Sequence, residues 1–191
     1  EKKYIINILK KAKQFNCYVL VDECYYGFYN FTVLPYLKKF SNLIISRSFS
    51  KGYGLAGCRA GFLIANKDTA RRLYKFRPMY EINSFAVLII KEILKDKNIF
   101  KKYLQETKKG KKYLIKNLNK LGFSYRNTHT NLLLVDFKTQ KLKMKIWNSF
   151  KKQNILVMPK PYAPGCENYL GFTLGPVKYM RLVVKNLIKF N

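Results

Sequence analysis

Ser48-Phe49-Ser50-Lys51-Gly52-Tyr53-Gly54-Leu55-Ala56-Gly57-Cys58-Arg59-Ala60-Gly61-Phe62 is the stretch whose reading decides the fold. Two hydroxyls, a lysine, several glycines and an arginine eight residues past that lysine lie where one apolar run gives way to a loop and then to another run. Hydroxyls and an arginine can hold a phosphate, and glycines let the backbone approach it closely. A flexible basic loop has the same composition, so physics alone leaves both readings open.

Upstream, Cys17-Tyr18-Val19-Leu20-Val21-Asp22 is a short continuous apolar run that ends in a carboxylate, the pattern of a buried strand. A helix over 3–15, with Ile5, Ile6, Ile8, Leu9 and Ala12 at helical spacing and Asn16 as its stop, feeds that strand. This order is the unit of a parallel sheet. Leu43-Ile44-Ile45-Ser46 and Ala60-Gly61-Phe62-Leu63-Ile64-Ala65 supply two more strands of the same α/β layer. Asp22 then falls at the carboxyl end of a strand, where open α/β sheets bind ligands. A carboxylate there, beside a basic loop, calls for a cationic partner, although a helix cap is the other use of such an aspartate.

Downstream, a helix near 69–74 is broken by Pro78, and a long helical region runs over 84–121 with a bend near Asp96 to Asn98. The texture then changes. Strands at 131–137, 155–157 and 169–174, with helices at 141–152 and 177–190, predict a smaller α+β domain. The boundary is placed inside the long helical region, giving domains over 1–105 and 106–191.

The 191 residues are 48% apolar and 25% charged, a globular composition and too rich in core formers for a disordered chain. No apolar run reaches the roughly 18 residues a membrane span needs. The net charge is +28, but 31 lysines against 7 arginines are scattered along the chain. They read as solvated surface rather than a nucleic-acid footprint. Cys17, Cys24, Cys58 and Cys166 show no CxxC pair and only His129 could join them as a metal ligand, so no structural metal or disulfide scaffold is expected. The expectation is a reduced, cytoplasmic protein without membrane or nucleic-acid partners. His129 reads as surface, and Cys24 and Cys58 as small packing residues. A start on Glu1-Lys2-Lys3 rather than Met reads as a processed N-terminus or a piece of a longer chain.

Asp22-Glu23-Cys24-Tyr25, then Ser48-Phe49-Ser50-Lys51 with its lysine 29 residues after Asp22, then glycines and Arg59, together form a composite spacing. It resembles that of the fold type I pyridoxal-phosphate enzymes, specifically the class I/II aminotransferases and their histidinol-phosphate aminotransferase subfamily. The resemblance implies an α/β fold: an aspartate-aminotransferase-like three-layer large domain, incomplete at its N-terminus here, plus a small α+β domain. It implies pyridoxal 5'-phosphate as cofactor, with Lys51 binding it covalently and later acting as the base that moves the α-proton. Asp22 would pair with the protonated ring nitrogen, Tyr25 would bond the ring's phenolic oxygen, and Ser48, Ser50 and Arg59 would hold the phosphate. A homodimer is implied too, with Tyr53 or Tyr80 reaching a neighbouring subunit.

The chain departs from the family in two ways. The closing strand normally carries an anion-gripping arginine where Leu170-Gly171-Phe172-Thr173-Leu174-Gly175 has Gly171, and a second arginine expected after Ile155-Leu156-Val157 is replaced in Met158-Pro159-Lys160. Lys160 and Arg77 are the candidates for supplying a substrate-binding charge instead. The family's glycine-rich loop, ring-stacking aromatic and asparagine all precede the equivalent of Asp22 by more residues than are present, so the chain holds half a cofactor site. The expected activity is amino transfer between an amino acid and a keto or aldehyde substrate, phosphorylated or not. The alternatives are a phospho-amino-acid decarboxylase of the same fold and an inactive basic binding fragment.

Overall fold

The structure is a computed structural model that describes residues 2–159 and 164–191. The chain divides into two compact units, Glu1–Phe100 and Lys101–Asn191.

In the first unit, helix α1 (Lys2–Gln14) leads into strand β1 (Val19–Asp22). The helix stops because Asn16 adopts φ 53°, the left-handed region that asparagine tolerates, and the Cys17 amide turns back to the Ala12 carbonyl at 2.8 Å. Strands β2 (Leu43–Ser48) and β3 (Gly61–Ala65) complete a three-stranded sheet of order β1-β2-β3. β1 and β2 are parallel, with Val19 opposite Leu43 and Asp22 opposite Ser46. The core under them is Leu9, Val33, Phe40, Leu43 and Ile45, with Ile5, Val19 and Val21 packed against it.

Two sequence expectations are corrected here. β3 runs antiparallel to β2, pairing Ser46 with Leu63 and Ser48 with Gly61. The connection over 49–60 contains only a 3-10 turn at Ala56–Cys58 and doubles back, whereas a parallel return needs a crossover element. The runs taken as buried strands also show a bare face among the described residues: Leu20 is 61% exposed and Leu63 54%.

Helix α2 (Lys67–Tyr74) is capped by Asn66, whose side chain accepts from the Thr69 amide. Helix α3 (Ser84–Lys95) is capped in the same way by Asn83. The expected bend proves to be a break. Asp96 takes an extended conformation, and its carboxylate accepts from the Asn98 amide at 2.8 Å, starting helix α4 (Lys97–Lys120).

In the second unit, strands β4 (Tyr125–Asn127), β5 (Leu132–Asp136) and β6 (Tyr169–Thr173) form an antiparallel sheet of order β4-β5-β6. Helices α5 (Gln140–Lys152) and α6 (Val177–Leu187) pack with it around Leu114, Leu118, Leu133, Val135, Phe150 and Phe172. The strand expected over 155–157 is not formed. Only Met158 pairs, by an isolated bridge to Gly171.

Gly110, buried in α4, lies so close to the Gly175 carbonyl that an added Cβ would overlap it. Gly110→Ala is therefore expected to destabilise the fold by ~1–3 kcal/mol through overpacking, despite alanine's better helix propensity. Urea unfolding of the two chains measures this directly.

Candidate active site

The parallel register delivers Asp22 and Ser46 to the same end of the sheet. Asp22 is exposed rather than buried, which corrects the expectation of a buried carboxylate. Its orientation is nonetheless set: Oδ1 accepts from the Cys24 amide and from the Ser46 hydroxyl, both at 2.9 Å. Beyond these two, the Cys24 thiol interacts with the same carboxylate, and among the described residues no other group donates to it. A carboxylate held in this way suits a cationic N–H partner.

Lys51 follows the end of β2. Its Nζ stands 5.4 Å from the centre of the Tyr25 ring, and no hydrogen bond or ion pair among the described residues ties it down. Lys51, Asp22 and Tyr25 are thus brought together around Cys24. Burial pushes the Cys24 thiol above its ordinary range, the Asp22 carboxylate adds to that, and the Lys51 ammonium pulls the other way.

The glycines around Lys51 have separate reasons. A Cβ on Gly52 would stand 2.5 Å from the Phe100 ring, and Gly54 sits at φ 69° where the Gly54 amide closes a turn on the Lys51 carbonyl. Ser48 Oγ accepts from the Ser50 amide at 3.0 Å. The β2–β3 ladder continues through Phe49 and Ala60, so Ser50 and Arg59 follow at its end. Arg59 is exposed at φ 51° and donates from Nη1 to the Ala56 carbonyl at 3.1 Å. No hydrogen bond joins its guanidinium to Ser48 or Ser50 among the described residues.

Of the two candidate substrate cations, Lys160 lies outside the described residues. Arg77 is ion-paired to Glu81 at 3.4 Å and lies over the Tyr74 ring. It lines an open cleft of about 770 Å³ with Ser46, Phe62, Leu63 and Glu81, and neither Asp22 nor Lys51 is on that lining. Cys58 packs with Phe49, Ala60 and Ile90, and His129 is exposed.

Sequence reasoning missed Glu23 and Arg47, which are ion-paired at 2.9 Å with side chains 8% and 13% exposed. The signal was available. Glu23 follows Asp22 as Arg47 follows Ser46, so strands pairing Asp22 with Ser46 bring opposite charges to the next rung.

This sheet, with a lysine, an aspartate and a tyrosine gathered at the carboxyl end of its strands, has the fold of the aspartate-aminotransferase-like, fold type I pyridoxal-phosphate enzymes. The histidinol-phosphate aminotransferase structure from Clostridium acetobutylicum superposes with a TM-score of 0.83 at 25% identity, covering 98% of this chain and 58% of that one. The L-threonine-O-3-phosphate decarboxylase of Porphyromonas gingivalis gives 0.75, also at 25%, covering 100% of this chain and 59% of that one. The chain belongs to the aminotransferase class I and II family, whose sequence profile matches residues 2–187. Histidinol-phosphate aminotransferase 1 of Carboxydothermus hydrogenoformans is 31% identical over 185 residues, 95% of this chain and 51% of the relative. The chain thus spans about half the length of that relative.

Cys24 gives a test of the site's electrostatics. Because burial and Asp22 disfavour its thiolate, iodoacetamide alkylation of Cys24 in the folded chain is expected to rise at higher pH than in the urea-unfolded chain. Peptide mapping by mass spectrometry resolves Cys24 from the other thiols.

Proposed function

We propose that this chain is the lysine-bearing part of a pyridoxal-phosphate-dependent aminotransferase that moves an amino group between an amino acid and a keto or aldehyde substrate in biosynthesis. The observation that carries the reading is the gathering of Lys51, Tyr25 and Asp22, with Asp22 already oriented by the Cys24 amide and the Ser46 hydroxyl. The donor set fits the cofactor: an amine for its aldehyde, a carboxylate for its ring nitrogen, a phenol for its ring oxygen, and two hydroxyls and an arginine for its phosphate. When bound, the cofactor supplies an electron sink for the electrons released at the substrate's α-carbon.

The chain's own residues do the rest. Lys51 Nζ would hold the cofactor's aldehyde and would be the amine that takes and returns the α-proton. Asp22 would pair with the protonated ring nitrogen. Tyr25, whose ring lies beside Nζ, orients the ring oxygen. Ser48, Ser50 and Arg59 would hold the phosphate.

The likeness to the threonine-phosphate decarboxylase favours decarboxylation as the second reading, and neither Gly171 nor the segment beginning at Met158 supplies the arginine that the resemblance implies. Carbon dioxide released from phosphothreonine without a keto acceptor would select it. The assembly is proposed to be a homodimer in the cytoplasm. Exposed Phe76, Met79 and Tyr80 offer apolar surface for a partner, and all four cysteines are free thiols. No helix among the described residues is long and apolar enough to cross a membrane.

Titrating the chain with pyridoxal phosphate is expected to give the visible absorbance band of a lysine-bound cofactor. Lys51→Ala should abolish the band, and Asp22→Asn should weaken binding by roughly tenfold, about 1.4 kcal/mol. A band that survives Lys51→Ala would defeat the proposal.

A further inference from the structure

We propose that Glu23 and Arg47 are positioning residues for the cofactor site, a buried ion pair that fixes the Asp22–Tyr25 turn relative to the Lys51 turn. The inference rests on the pyridoxal-phosphate reading above.

Along β1 and β2 successive side chains point to opposite faces. Asp22 and Ser46 share one rung, and the ladder extends one rung further, where the Glu23 amide donates to the Ser46 carbonyl at 2.9 Å. Glu23 and Arg47 therefore sit behind the residues that orient the site. Glu23 uses both carboxylate oxygens. Oε1 accepts from the Val33 amide at 2.6 Å, and Oε2 accepts from the Thr32 hydroxyl at 2.8 Å and from Arg47 Nε and Nη2 at 3.1 and 2.9 Å. Arg47 Nη2 also donates to Thr32 Oγ1 at 3.0 Å.

The guanidinium lies 3.6 Å from the centre of the Tyr26 ring, and Tyr26 stacks on Phe100 with centroids 6.1 Å apart. Phe100 in turn meets Tyr53 at 4.7 Å and closes on Gly52, the residue after Lys51. One run of contacts thus joins the carboxylate beside Asp22 to the backbone beside Lys51. Three separate loops, at 23–26, 32–33 and 51–54, are referred to one ion pair.

A purely stabilising role is better served by apolar side chains, because desolvating two charges offsets much of their attraction. What an Arg–carboxylate pair adds is direction: planar, charge-assisted bonds that admit one geometry.

The test uses the whole 191-residue chain. On the unloaded chain, thermal unfolding and the rate of Cys24 alkylation are read. Titration with pyridoxal phosphate alone, followed by absorbance, gives cofactor affinity. Glu23→Gln/Arg47→Met removes both charges and keeps an acceptor for the Val33 amide. It is expected to unfold near the temperature of the unsubstituted chain, yet to alkylate Cys24 several-fold faster and bind the cofactor roughly tenfold more weakly, the scale on which outer partners of a bound group act. Equal alkylation rate and equal affinity would overturn the proposal. If the double variant does not fold, Arg47→Lys decides in its place: it keeps the charge and loses the planar fork, so the same two changes are expected, and their absence overturns the proposal. If the unsubstituted chain takes up no cofactor, the functional reading fails, while the Cys24 rate still decides whether the ion pair positions the turn.

Discussion

Everything in the proposed site depends on the register between β1 and β2. Because side chains alternate along a strand, a slip of one residue would exchange Asp22 with Glu23 and turn the Asp22 carboxylate away from Lys51. The register is set on apolar grounds at the other end of the strands. Leu43 and Ile45 are fully buried against Leu9 and Val33, and on β1 Val19 and Val21 pack on the same cluster while Leu20 between them is 61% exposed. Polar bonds then seal it: the Val19 amide donates to the Asn42 carbonyl at 2.8 Å, and the Asn42 side-chain amide holds the Leu9 and Cys17 carbonyls. A core that contains no catalytic group thus dictates which carboxylate faces the lysine.

The ion pairs of this chain differ in what they can do. Lys95–Glu92 and Lys109–Glu106 lie on exposed helix faces, where such pairs contribute ~0–1 kcal/mol. Glu23–Arg47 is of another kind. Removing one partner would leave a desolvated charge at a cost of about 3–5 kcal/mol, although the pair as a whole need not outperform apolar packing. The chain has 38 cations and only 10 carboxylates, so a carboxylate enclosed against Arg47 is a scarce group committed to geometry. The surplus cations shape the surface and leave the site to a few of their number.

The residues proposed for the site were legible because they are written locally. Asp22 closes an apolar run, Lys51 sits between hydroxyls and glycines, and the spacing between them is itself a signal. Asn16 likewise announced the end of the first helix, an asparagine tolerating the left-handed backbone there, whereas Asp96 was read as a bend and proved to be a break. What stayed hidden depends on partners distant in sequence. The direction of β3 follows from how the 49–60 connection doubles back, which composition does not encode. Ile155-Leu156-Val157 has a strand's residues, but Leu156 is 91% exposed and only Met158 finds a ladder partner. Tyr125–Asn127 has no apolar alternation and becomes a strand because β5 lies beside it. The Glu23–Arg47 pair needed the β1–β2 register before its two charges could be seen as neighbours.

Gly171 and Met158, at the two places where the resemblance implies an arginine, meet at one bridge. Gly171 and Met158 face each other, each amide bonded to the other's carbonyl at 2.9 Å. The space beside Gly171 is already taken: a Cβ there would stand 3.1 Å from Met158 Cβ and 3.3 Å from its sulfur. A side chain at 171 would therefore need Met158 to shift by a few tenths of an ångström. This rung carries no side-chain charge, only a compact apolar pair. Arg77 already shares its charge with Glu81. Neither Gly171 nor Met158 carries the cation that the resemblance implies there, and the tight fit between them follows from this chain's own residues.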